Sequence, residues 1–174
     1  NGTLNTQQAD YTFSQYGMRS VAGFGDIDGD GLDDILAGQL HRASVILGSS
    51  LTTMATPDGL IEITQADYFV SSMYSSDTYS GGIGEAVTAG DLTGDGVADL
   101  ILDGNWAIYM FDGAELESLA ASDGQILLAD AAQVFYVPGW TEVSVAGDTD
   151  GYGTSELLVA KEAVDQAYLF SACE

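Results

Sequence analysis

The chain has 174 residues, of which 46% are hydrophobic and 22 are glycines. This composition is too apolar for a disordered chain and sufficient for one packed domain, and no apolar run is long enough to predict a membrane-spanning helix. Acidic residues outnumber Lys and Arg by 27 to 3, and the resulting formal charge of −24 disfavours nucleic acid and anionic lipid as partners and favours cations, although solubility alone would also explain it. The single Cys173 excludes an internal disulfide framework and a multi-cysteine zinc site.

Internal repeats organise the chain. The segment "NGTLNTQQADYTF" (1–13) aligns without gaps with "DGLIEITQADYFV" (58–70), and "DGQILLADAAQVFYV" (123–137) is a looser third copy. Each copy leads to an acidic loop, and each loop leads to a short apolar run. We therefore predict a single domain, 1–174, built from three repeats. The repeats cover roughly 1–57, 58–122 and 123–174.

Within the first repeat, four runs rich in β-branched and aromatic residues predict strands at about 10–14, 19–24, 34–37 and 43–48. Only "AELESLAAS" (114–122) has ambiguous helical periodicity, enough for a turn or two of helix. Four strands in a repeat of about 60 residues are typical of a β-propeller blade, whereas a solenoid coil is usually shorter. We predict an all-β fold with three blades of four antiparallel strands, as part of a larger or intermolecularly completed propeller.

Three acidic loops share one pattern. Counted from the aspartate after the first glycine, each has an acid at positions 1 and 9 and glycine at positions 4 and 6. Alternate residues of a tight loop point inward, so we expect the carboxylates at positions 1, 3 and 5 to converge, position 9 to close the cage and position 7 to offer its carbonyl. Such an oxygen cage suits Ca²⁺ better than Mg²⁺, which demands a stricter octahedron. The loops are "GDIDGDGLDDILAG" (25–38), "GDLTGDGVADLILDG" (90–104) and "GDTDGYGTSELLVAK" (147–161).

The three loops differ at two ligand positions. The first is fully acidic, whereas the second has Thr93 at position 3 and the third has Tyr152, a poor ligand, at position 5. Turn formation by Asp-Gly would explain one such loop but not three. An EF-hand is excluded because position 12 is apolar and lies in a predicted strand. The sequence thus predicts calcium sites in the first two loops and leaves a third open.

The loops resemble those of FG-GAP repeats, the blades of the integrin α-subunit β-propeller and of many secreted bacterial proteins. The resemblance covers almost the whole chain; Tyr16-Gly17, Ile83-Gly84 and Pro138-Gly139 stand loosely where the family has Phe-Gly, while its Gly-Ala-Pro is absent. It implies a calcium-binding module of cell adhesion with an extracellular or cell-surface location. The metal ligands it implies are Asp26, Asp28, Asp30, the Leu32 carbonyl and Asp34; Asp91, Thr93, Asp95, Val97 and Asp99; and Asp148, Asp150, Thr154 and Glu156.

A candidate ligand face lies opposite the acidic loops. It is formed by the connections between the second and third strands of each blade and by the connections between blades. It collects all three basic residues and both tryptophans, which suit sugars or a carboxylate-bearing protein. For the tryptophans, filling the gaps between blades is the alternative. The face comprises Arg19, His41, Arg42, Tyr74, Tyr79, Trp106, Trp140 and Lys161.

The order of the predicted strands starts with an outer, fourth strand and stops after a third strand. It predicts that residues 1–13 are the outer strand of a blade whose inner strands come from elsewhere, either from a missing part of the protein or from a second copy. The leading hypothesis is a secreted, calcium-binding propeller module that binds a protein or glycan ligand. The alternatives are a structural subunit that polymerises through its open edges and an accessory domain of a polysaccharide-acting enzyme. We expect no catalytic activity, because the lone His41 has no nucleophile motif and no carboxylate pair stands out.

Overall fold

A computed structural model of the chain describes residues 5–71, 83–84, 87–104, 106–137, 141–161 and 165–171. Strands dominate these ranges, and the only α-helices among them are two single turns, α1 (Leu51–Met54) and α2 (Leu116–Leu119). The strands are β1 (Thr12–Ser14), β2 (Met18–Gly25), β3 (Asp34–Gln39), β4 (Arg42–Ile46), β5 (Leu60–Glu62), β6 (Tyr68–Ser71), β7 (Val87–Gly90), β8 (Asp99–Asp103), β9 (Ala107–Phe111), β10 (Gln125–Leu127), β11 (Gln133–Tyr136), β12 (Thr141–Gly147), β13 (Glu156–Lys161) and β14 (Gln166–Ser171).

Three antiparallel sheets follow one another along the chain. The first has the order β2-β3-β4-β6, the second β7-β8-β9-β11 and the third β12-β13-β14. In the first two sheets, three consecutive strands are joined by a fourth strand that comes from the following repeat. The predicted all-β class is confirmed, and the four strands expected in the first repeat correspond to β1, β2, β3 and β4.

Two short parallel pairings, which the sequence did not predict, connect the repeats. The strand β5 pairs in parallel with β1, and β10 pairs in parallel with β6. Gly59 and Gly124 precede these strands, and their carbonyls accept the backbone N–H groups of Thr12 and Phe69, at 2.9 Å in both cases. The second and third repeats therefore each begin with a short strand, β5 or β10, that pairs with the outer strand β1 or β6.

The hydrophobic core lies between consecutive sheets. In β8, Leu100 and Leu102 pack against the first sheet, whereas the intervening Ile101 packs against Leu157 and Val159 of the third. All five side chains are fully buried. A strand covered on both faces has a continuous apolar run, as "LIL" (100–102) is, because alternate side chains enter two different interfaces.

The helix expected in 114–122 is confirmed as a 3₁₀ turn followed by α2. The equivalent turn in the first repeat, α1, was not predicted because its two threonines have low helix propensity. Thr53 compensates locally, since its hydroxyl donates to the carbonyl oxygen of Ser50 at 2.8 Å. Leu51 and Met54 then pack on the outward side of the first sheet.

Candidate metal centre

Each acidic loop joins the first two strands of a sheet and is held by the carboxylate at position 1. In the first loop, one oxygen of Asp26 accepts the N–H of Asp30 at 3.0 Å and the other accepts the N–H of Gly31 at 2.9 Å. The same carboxylate therefore folds the backbone around itself. In the later loops the position-6 bond is the same, to Asp91 from Gly96 (2.9 Å) and to Asp148 from Gly153 (3.1 Å), while the second donor is the position-4 glycine, Gly94 or Gly151, at 2.6 Å.

Glycine is required at positions 4 and 6 by the backbone conformation. Gly29 and Gly31 have φ angles of +75° and +90°, in the left-handed region that a Cβ atom disfavours. The two later loops have the same pair of angles within a few degrees, at Gly94 and Gly96 and at Gly151 and Gly153. The shared glycine spacing in the sequence thus corresponds to a shared backbone conformation of the three loops.

The acid at position 9 anchors the first loop from beneath. Asp34 is buried, and its two oxygens accept the N–H of Ile27 at 2.9 Å and the N–H of Gly48 at 2.7 Å. Burial raises the pKa of Asp34, these two hydrogen bonds oppose the rise, and the nearby carboxylates of Asp28 and Asp26 add to it. Protons and cations therefore compete for this carboxylate at a higher pH than for an exposed aspartate.

Asp99 has the same role in the second loop. Its carboxylate is buried and accepts the N–H groups of Leu92, Thr93 and Gly113, at 2.7, 2.9 and 3.1 Å. Burial is the largest cause of its raised pKa, which the three hydrogen bonds lower and the charge of Asp112 raises further.

In the first loop, the structure brings three of the predicted ligands together. Asp26, Asp28 and Asp34 each offer an oxygen within 4.8 Å of the others. Two oxygens that both lie about 2.3–2.6 Å from one Ca²⁺ ion are at most about 5 Å apart, so this triad has the dimensions of a calcium site. Asp30 is not part of the triad, and one of its oxygens accepts the N–H of Leu32 at 2.8 Å instead.

The third loop forms the second triad, from Asp148, Asp150 and Glu156. Glu156 is fully buried; its Oε2 accepts both the N–H and the hydroxyl of Thr149 at 2.6 Å, whereas its Oε1 has no hydrogen-bond partner among the described residues. A buried carboxylate oxygen without a partner is costly, and a cation shared with the two aspartates would satisfy it. Tyr152, at position 5 of this loop, is 83% exposed.

The second loop gathers no such triad of acids among the residues that the structure describes. The physical reason is Thr93, which places a hydroxyl where the other two loops have a carboxylate. Asp95 resembles Asp30, since its Oδ1 accepts the N–H of Val97 at 2.8 Å. The acid clusters therefore favour the first and third loops as cation sites, whereas the sequence predicted sites in the first and second loops.

The position-7 residues differ in exposure. Leu32 is exposed, Val97 is partly buried and Thr154 is buried. The third loop also contacts the second directly, because Ser155 donates its backbone N–H to the carbonyl oxygen of Asp91 at 2.6 Å.

A cleft beside the first triad was not predicted. It has a volume of about 350 Å³ and is lined by Asp26 and Asp28 on one side and by Glu117 on the other. Tyr68 also lines it, and burial, together with the negative charges of Glu117 and several aspartates, raises the pKa of its phenol. Tyr68 and Glu117 belong to the second repeat, so the spacing within one loop carries no signal for them.

At the opposite end of the sheets, the predicted ligand face is only partly described. Arg19 and His41 are exposed, and Trp106 is 50% exposed rather than buried between sheets. The guanidinium of Arg42 instead stacks 3.6 Å from the ring centroid of Phe69, and burial lowers its pKa. Lys161 is partly buried at the end of β13. Tyr74, Tyr79 and Trp140 lie outside the described residues.

Comparison with known proteins assigns no family to this arrangement. The chain matches no protein-family model, and a search of curated proteins found no similar sequence. No helix within the described ranges has both the length and the apolar character needed to cross a membrane.

Proposed function

We propose that the chain is a calcium-binding repeat module that binds a protein or glycan ligand outside the cell. The observation that supports this proposal most directly is the pair of acidic triads, each built from positions 1, 3 and 9 of a loop. Both contain a buried acid, and the third loop contains a carboxylate oxygen that lacks a protein partner within the described ranges. All donors are hard oxygens, the type that Ca²⁺ prefers.

The proposed architecture is that of β-propeller blades of the FG-GAP type. In support, β2, β7 and β12 each form one edge of their sheet, and β7 packs beside both β2 and β12. Sheets whose first strands adjoin and whose faces stack in succession are arranged as blades around a common axis. The buried interfaces on both sides of β8 have this succession.

Isothermal titration of the metal-stripped chain with CaCl₂ tests the metal sites. We expect Asp28→Asn to remove one binding event and Asp33→Asn to leave the stoichiometry unchanged. Asp33 is a fitting control because it carries the same charge, is exposed and lies in the same loop outside the triad. A protein that releases no heat with calcium and melts identically in EGTA would refute the proposal.

The proposed ligand face is tested with a glycan array and a panel of immobilised matrix proteins. Trp106→Ala should weaken any binding observed, because a half-exposed indole supplies a stacking platform. Tyr152→Ala removes a more exposed aromatic ring at the calcium-loop end and should leave binding intact. Loss of binding in Tyr152→Ala alone would move the ligand site to the acidic loops.

A further inference from the structure

The third sheet exposes residues that are buried at the same register in the first sheet. Leu158 and Leu169 are partners across β13 and β14, as Leu36 and Val45 are across β3 and β4. Leu36 and Val45 are 0% and 1% exposed, whereas Leu158 and Leu169 are 39% and 53% exposed. We call the surface formed by Leu158 and Leu169 the tail face; it is an uncovered copy of a core interface.

The outer edge of β14 is open as well. In the first two sheets, β4 and β9 pair on their outer side with β6 and β11, which come from the following repeat. The strand β14 holds the same place in the third sheet, yet within the described ranges no strand pairs with its outer edge. An open edge of this kind is a template for a further strand.

The first sheet has the complementary gap. Val21 in β2 and Val87 in β7 hold the same register, since they pair with Ala37 and Leu102. Val87 is 6% exposed because the first sheet covers it, whereas Val21 is 68% exposed. We call the outward surface of the first sheet around Val21 the head face.

The hydrophobic cluster on the head face is an incomplete version of the cluster that lies between the first two sheets. Between those sheets, Leu116 of α2 packs together with residues of both. On the head face, Leu51 of α1 packs with Ile46 and Ile63, and within the described residues the strands of this cluster are those of the first sheet and the short β1, with no strand of another four-stranded sheet. A second sheet at this position would complete the cluster.

We infer that the tail face of one copy of the chain binds the head face of a second copy, with β1 of the second copy pairing antiparallel to β14. The occupant is a second copy because β1 is the sequence counterpart of β6: Tyr11 and Ser14 align with Tyr68 and Ser71. The contact repeats the internal interface, since β1 leads into β2 as β6 leads into β7. It does not depend on metal binding.

The register of this pairing follows from the first sheet. There, Val45 pairs with Tyr68. Leu169 is the counterpart of Val45 and Tyr11 the counterpart of Tyr68, so Leu169 pairs with Tyr11 of the second copy. Thr12, one residue along, presents its side chain on the other face of the strand.

Disulfide trapping between two single-cysteine chains tests the register, with Cys173→Ser as the background in both. A Leu169→Cys chain mixed with a Tyr11→Cys chain should form a disulfide-linked heterodimer under mild oxidation. Directly opposed residues in antiparallel strands lie about 4.5–5.5 Å apart, within the range that a disulfide spans. The control is Thr12→Cys, which should not react with Leu169→Cys. Equal trapping of Thr12→Cys, or Leu169→Cys homodimers as the main product, would overturn the inference.

Sedimentation velocity measures the association without added cysteines. The average mass of the wild-type chain should rise with concentration to at least twice that of one chain, and Leu169→Asp should return it to the monomer. Val134→Asp is the matched control, because Val134 of β11 is as exposed as Leu169 and belongs to the second sheet, which forms neither face. Circular dichroism verifies that each variant folds. A wild-type chain that stays monomeric at every soluble concentration overturns the inference. Isothermal titration with calcium tests the metal sites independently of this result.

Discussion

At the scale of single residues, Glu156 has opposite effects with and without a metal. In the metal-free protein, its Oε1 is a buried oxygen with no hydrogen-bond partner among the described residues, beside two aspartates. Glu156→Gln replaces this oxygen or its neighbour with an amide that can donate to those carboxylates. We expect the variant to be more stable than the wild type in EGTA, by about 1–3 kcal/mol, and to gain less stability when calcium is added.

Urea denaturation in EGTA and in CaCl₂ measures both effects. Saturation at 100 times Kd adds about 2.7 kcal/mol per site, and this increment should be absent for the third loop of the variant. Glu142→Gln, an exposed substitution in β12, is the control and should change neither value. If Glu156→Gln destabilises the metal-free protein, then Oε1 has a partner there already.

The buried acids Asp34 and Asp99 predict an unusual pH dependence. Both have a folded-state pKa above the ordinary value of 3.8, chiefly because of burial. The folded state therefore keeps protons that the unfolded chain has lost, and the free energy of unfolding of the metal-free protein decreases as the pH rises through the raised pKa values. With calcium the trend reverses, because protonation displaces the ion.

Urea denaturation across this pH range, in high salt to screen the net charge, checks the sign. Carboxyl carbon shifts in NMR spectra identify the two aspartates directly. A metal-free stability that is flat or rises with pH would show that neither group keeps its proton in the fold.

Much of the site was predictable at this scale, because its chemistry is local. The acid and glycine spacing predicted the loop, and Asp26, Asp28 and Asp34 do come together. Asp30 was expected among them but is not part of the triad, although the bond that it accepts from the N–H of Leu32 matches the one that Asp28 accepts from the N–H of Asp30. The alternation of residues along the loop therefore does not by itself give the distances between their carboxylates.

At the scale of elements, glycine at position 6 of the acidic loops is needed for the backbone conformation and not for space. Gly96 has a φ of +90°, and a Cβ atom added there would meet nothing within 4 Å. We expect Gly96→Ala to cost about 1–2 kcal/mol, the price of a left-handed conformation alone.

Gly23→Ala in β2 is the matched control, because the added Cβ is equally free of contacts but the glycine has no positive φ. It should be neutral or stabilising by up to about 1 kcal/mol, since alanine reduces the entropy of the unfolded chain. Denaturation of both variants in EGTA separates the backbone effect from calcium binding. Equal stabilities would contradict the loop conformation.

The elements that sequence reasoning missed are those that only distant residues stabilise. The parallel pairing of Thr12–Ser14 with Leu60–Glu62 joins two three-residue segments that are far apart in the chain. Neither is long enough for a periodic pattern. The antiparallel strands, in contrast, alternate with glycine-rich turns along the chain, and in the first repeat the boundaries of β2, β3 and β4 were predicted within about two residues.

At the scale of the whole molecule, the net charge of −24 opposes contact between copies. Head-to-tail association should therefore strengthen as salt is added, because the Debye length shortens to about 8 Å at 0.15 M ionic strength. Sedimentation velocity in a NaCl series measures this trend. Association that weakens with salt would show that ion pairs and not apolar faces hold the copies together.

The parallel pairing of β1 with β5 has a consequence for synthesis of the protein on the ribosome. The two strands begin at residues 12 and 60, so 60 − 12 = 48 residues separate them. At about 5–20 residues per second, β1 emerges roughly 2–10 s before its partner. The first sheet likewise waits for β6, and β6 waits for β10. The first two repeats thus finish folding only when the first strands of the following repeat have left the ribosome, and until then the nascent chain exposes unpaired strand edges.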